Sequence, residues 1–258
     1  MLVLAIALAA VAAVRGMWSP CGLSMLSSLN PMAERARGHR PLLTAAWYVV
    51  GALSGGAVLG LGCALAALGV QPLHWAGTTV FAIAAGCAVV AVLSDTRVLG
   101  WSLPDHPRQV NERWLTSYRR WIYAAGFGAQ IGVGFATYIM SAALYLSAAL
   151  AVLSGPAGAL LTGLSFGLVR GLCVLCSAGA STADRLRALL RGVEALGAIS
   201  LRVVIAVEIV VAIMAGYEAG GLLVAAALTV GLLAVVALAV VPLRGRTAPL
   251  GRQDLPAR

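Results

Sequence analysis

Residues 2–29 read LVLAIALAAVAAVRGMWSPCGLSMLSSL. The run is longer than the roughly 20 apolar residues that an α-helix needs to cross a bilayer. Yet it carries Arg15 and, four residues further on, Ser19-Pro20. Proline lacks a backbone donor and clashes with the carbonyl of the preceding turn, so a helix kinks or breaks there. Freed backbone groups survive at membrane depth only where protein covers them or where they line a cavity. The stretch therefore describes an interrupted membrane span that needs other helices around it.

The rest of the chain supplies them. Its 258 residues are 61% hydrophobic and only 10% charged, with a mean hydropathy of +0.94. A soluble domain is nearer one quarter charged, so this chain calls for lipid as solvent. Further apolar runs cover 43–68, 75–94, 121–150, 157–179, 196–217 and 220–243. The expected fold is all-α and polytopic, with about seven transmembrane helices in a single membrane domain over 1–243. Residues 244–258, with Pro249 and Pro256, are expected to form a disordered cytoplasmic tail. The segment 98–120 is polar and carries Trp101, Trp114 and Tyr118, which suits the membrane interface.

Charge orients the spans. The formal charge is +9, and all eighteen basic residues are arginine. Arg35, Arg37 and Arg40 follow the first run; Arg97, Arg108, Arg113, Arg119 and Arg120 follow the third. Arg185, Arg187 and Arg191 follow the fifth, and Arg244, Arg246, Arg252 and Arg258 the seventh. The alternate connections carry none. Positive loops stay in the cytoplasm, which gives an outside N-terminus and an inside C-terminus. No basic stripe is interleaved with aromatic residues, so nucleic acid is not an expected partner.

The Gly-rich stretch of the fourth run resembles that of the first. Aligning Gly22 with Gly132 sets Pro20 against Gln130 and Cys21 against Ile131. With opposite directions for these two spans, the layout is two inverted three-helix repeats plus one extra helix. Interrupted helices at matching places in two halves point to the functional centre. Ser19, Pro20, Gly22, Gln130 and Gly132 are the residues expected to shape it.

Three groups carry possible chemistry. Cys21 directly follows the break, and Cys173 and Cys176 stand at i, i+3 in the fifth span, next to Arg170. A nearby cation favours thiolate, the reactive form of cysteine. Arg15, Arg170 and Glu208 are charges inside spans; such groups are costly and face a protein interior or a cavity. For Glu208 two readings stand side by side: a buried salt bridge with Arg15 or Arg170, or a polar cavity or proton path. Met17, Cys21 and Met25, with Cys173 and Cys176, also form a candidate soft-metal set, because thioether and thiolate ligands select ions such as Cu(I). The residues otherwise call for no metal and no cofactor. Phosphate-binding loops ending in lysine and His-Glu-x-x-His helices are absent, and His39, His74 and His106 fall in loops.

Ser19-Pro20-Cys21, with Leu23 and then Asn30-Pro31, resembles the first-span motif of the CcdA/DsbD thiol transporters of cytochrome c biogenesis. The resemblance implies an inner (plasma) membrane, multi-pass electron carrier or maturation factor working by thiol–disulfide exchange. Its implied partners, besides the lipid bilayer, are a cytoplasmic thioredoxin and an extracytoplasmic thiol protein. It implies a redox role for Cys21. The family's second cysteine falls at Ile131, so Cys173 or Cys176 would have to replace it. A transporter of a soft metal ion or small sulfur compound, and a non-catalytic membrane partner subunit, are the alternative readings.

Overall fold

The computed structural model describes residues 1–71, 75–104 and 118–240, and these are all-helical with no strand. The tail 244–258 and most of the expected interfacial segment, 105–117, lie outside the described residues, as does His74.

The first apolar run folds as α1 (Leu2–Arg15) and α2 (Pro20–Ser28), separated by a 3₁₀ turn over Gly16–Trp18. Ser19 is extended (φ −71°, ψ 156°), as the residue before a proline prefers. Its Oγ accepts from the Gly22 N–H at 3.0 Å, and Pro20 occupies the first helical position. Ser19-Pro20 is thus a stop and a new start, with serine as cap and proline where its missing N–H costs nothing. The two helices meet at a bend of 71°. Asn30-Pro31 repeats the device. Asn30 Oδ1 accepts from the Ala33 N–H at 2.9 Å and opens α3 (Pro31–Ala36).

Among the described residues four helices are long and apolar enough to cross a membrane: α4 (Pro41–Val70), α5 (Gly77–Thr96), α8 with the 3₁₀ turn after it (Gly155–Ser177), and α10 (Gly197–Val240, apolar as far as Ala239). The bent α1–α2 pair is a fifth candidate. The run 121–150, expected as one span, is two shorter helices, α6 (Arg120–Val133) and α7 (Ala143–Leu153). Gly134, at φ +74°, ends the first of them in a conformation that only glycine adopts cheaply. Within α10 the dihedrals leave the helix at Gly220 and Gly221. The chain reverses there: Gly216 packs against Leu228, and Leu201 and Ala239 line one cavity.

Glycine sets the centre of the bundle. On α4, a Cβ at Gly51 or Gly55 would collide with the carbonyls of Ala125 or Ala129 of α6. A Cβ at Gly56 would meet the Gly163 carbonyl of α8, and one at Gly163 the backbone of Gly60. Backbones thus touch on two sides of α4, the packing that small residues permit in lipid. A second core joins α1, α5, α7 and α10 through Leu8, Ala88, Leu146 and Ala212, among others. Apolar side chains also cover the outside, with Leu222, Leu223 and Val230 at least 71% exposed. That outward apolar surface is what a helix facing lipid presents.

Candidate functional site

The two interrupted runs face each other. Gly16, just past the end of α1, and Gly134, just past the end of α6, wall the same small cavity of about 30 Å³. Arg170 of α8, Tyr138 and Ser141 share that wall. This is room for a single water. Arg170 is 3% exposed. One guanidinium nitrogen donates to the Ala13 carbonyl at 3.1 Å, and the other to Ser19 Oγ at 3.4 Å. Ala13 lies in the last turn of α1, where carbonyls lack helical partners and the helix dipole is negative. The buried cation is therefore held by the helix end that the break created. Gly16 leaves space for it: a Cβ there would lie 2.5 Å from the guanidinium.

Arg15 borders the same space. It is buried, donates to Ser200 Oγ and to the Gly197 carbonyl (3.1 Å), and lies over the Trp18 ring at 5.8 Å. Beyond it opens a cavity of about 600 Å³ with Ser94, Asp95, Arg97, Ser102 and Tyr145 on its walls. Of the two readings of Glu208, the salt bridge is not formed with either arginine. The Glu208 carboxylate has no hydrogen-bond partner among the described residues, because the arginines are spent on helix-end carbonyls and serines.

The cysteines separate. Cys21 and Cys173 are buried in one apolar cluster with Met17, Met25, Tyr48 and Ile131. Cys176, on the 3₁₀ turn Cys173–Ser177 with Cys173, is exposed. None of the five cysteines is in a disulfide. Among the described residues no three His, Cys, Asp or Glu side chains gather to hold a metal ion. The expected soft-metal set therefore loses Cys176, while Met17 and Met25 pack as core. Ile131 stands in the Cys21 cluster, fully buried, so a hydrocarbon occupies the position aligned with the second thiol. Gln130 is half-buried, and Gly132 packs on the Ala52 carbonyl.

One polar network was not expected from the sequence. Glu34 on α3 is fully buried. It accepts from Tyr123 Oη (2.9 Å), Thr44 Oγ1 (2.6 Å) and Arg37 (2.6 Å), and His39 Nδ1 lies 3.5 Å away. This satisfied carboxylate ties the connection between α2 and α4 to α6. The available signal was a lone acid among Arg35, Arg37 and Arg40.

Comparison with curated proteins finds three methylamine utilization proteins MauF. The chain is 32% identical over 145 residues to that of Paracoccus versutus, covering 54% of this chain and 51% of the relative. It is 32% identical over 151 residues to that of Methylorubrum extorquens (55% and 50%), and 28% over 159 residues to that of Methylophilus methylotrophus (58% and 53%). The chain spans about half the length of the curated relatives it matches. No family model and no solved structure matches. These relatives overturn the CcdA/DsbD resemblance, and with it the thiol–disulfide carrier of cytochrome c biogenesis; they lend no support to the alternatives set beside it. The Ser-Pro-Cys motif misled because its serine and proline serve the helix break, whatever residue follows. The chain is similar over half its length to proteins of methylamine utilization, and a thiol pair is not what it shares with the carriers.

Proposed function

We propose that this chain is a multi-pass membrane protein of methylamine utilization, and that its working centre is the pair of opposed helix breaks around Arg170. The first part rests on the MauF relatives. A single observation carries the second: Gly16 and Gly134 wall one cavity with Arg170.

The proposed layout is seven spans in the bacterial inner membrane, with the N-terminus outside and the C-terminus inside. Arginine placement supports the orientation. The inverted-repeat reading is supported by the packing pattern. α4 lies against α8, α1 against α8 as α6 against α4, and α5 against α10. A two-fold relation of the halves would generate those pairs.

The test is genetic. Deleting the coding sequence in its native host should abolish growth on methylamine and leave growth on ammonium with another carbon source intact. A wild-type copy should restore growth; an Arg170→Ala copy, inserted in the membrane at wild-type level, should not. Undiminished growth of the deletion strain on methylamine would remove the proposal.

A further inference from the structure

We propose that Glu208 is a proton-binding site, served through Asp95 from the 600 Å³ cavity that Asp95 lines. The inference is independent of the methylamine reading. Glu208 is fully buried on the face of α10 that packs on α5, among Val204, Val211 and Ala212. Neither carboxyl oxygen has a hydrogen-bond partner among the described residues. An acid placed inside a membrane bundle without a partner is a functional group by default, because its charge there is uncompensated.

From α5 comes Asp95, which lines the 600 Å³ cavity together with Leu201, seven residues before Glu208 on α10. From α1 comes Arg15, which acts on Asp95 and is bonded to Gly197 and Ser200. Arg97, at the end of α5, also acts on Asp95. From α9 (Ala183–Ala195) come Arg191 and Glu194, but that helix ends before α10 begins, more than a dozen residues ahead of Glu208. On α10 itself Arg202 and Glu218 are six and ten residues away, roughly 9 and 15 Å along the axis. The returning half of α10 has no charged residue.

Asp95 is the bridge to water. Its Oδ1 accepts from the Ala142 N–H at 2.7 Å, while Oδ2 has no hydrogen-bond partner among the described residues. The cavity it lines is also walled by Ser94, Ser102, Ser141 and Tyr138. A hydronium ion there gives its proton to Asp95, which passes it to the Glu208 carboxylate. Glu208 becomes a neutral acid, Asp95 returns to carboxylate, and water is left in the cavity. Release reverses the sequence, and no electron moves.

pH-difference infrared spectroscopy of the full chain in lipid nanodiscs tests this. A carboxylic C=O band should change with pH in the wild type and be missing in Glu208→Gln. In Asp95→Asn the band should persist, with hydrogen–deuterium exchange slower by about 100-fold, the scale of a lost proton-transfer group. If Glu208→Gln does not reconstitute, ¹³C-glutamate in the wild type and in Asp95→Asn identifies the band instead. A Glu208 band that ignores pH, or exchange untouched by Asp95→Asn, would overturn the proposal.

Discussion

Arg170 and Ser19 concentrate the chemistry of the centre. The guanidinium holds two acceptors that exist only because α1 stops at residue 15. Hydrogen bonds to a charged group contribute about 1.5–3 kcal/mol each. Arg170→Met should therefore destabilise the folded chain by about 3–6 kcal/mol, read from denaturant unfolding in mixed micelles; a change below ~0.5 kcal/mol would show that the arginine holds nothing. Cys21→Ala should leave growth on methylamine unchanged, since the thiol lies in an apolar cluster with an isoleucine opposite. Loss of growth in that variant, at normal protein level, would reopen the case for sulfur chemistry. At this scale the sequence was informative about position and misleading about role. Arg15, Arg170 and Glu208 were recognisable as intramembrane charges. Their partners were not, because backbone carbonyls at a helix end have no signature in composition.

Among the elements, apolar length marked the long helices, while the ends had to come from capping chemistry. Ser19→Ala should cost about 1 kcal/mol through the lost cap of α2, measured by the same unfolding assay. Gly163→Val should cost more, because its side chain would meet the Gly56 and Gly60 backbones of α4; a variant of native stability would contradict the close approach. The alignment of the two Gly-rich stretches set the second break at Gln130 and Gly132, and only its exact place, Gly134, escaped the sequence reading. Hydropathy is high through 121–150, and a positive φ at Gly134 leaves no trace in it. Helix α9 escaped as well, since its three arginines suggested only a loop. Its Val193 is buried, and the Val193 carbonyl accepts from the Trp18 indole at 2.6 Å. Leu189 and Leu190 join it against the Cys21 cluster, leaving arginines on the outer face. Amphipathic spacing at 183–195 was the signal available.

For the whole molecule, the account stands on the two breaks meeting around one buried cation, with the longer helices as scaffold. On the orientation proposed from the arginines, cysteines introduced at 35–40 should react only with a membrane-permeant reagent in intact cells. The most direct measurement is a crosslink across the centre. Ala12 and Leu144 wall the same small cavity from α1 and α7. In a background with the five native cysteines changed to alanine, cysteines at 12 and 144 should be joined by a short bifunctional thiol reagent in native membranes. Cysteines at 64 and 159, which share a separate core cluster, serve as the control. A crosslink at both pairs is the result expected. A crosslink at the control pair alone would place the two breaks apart and contradict the account.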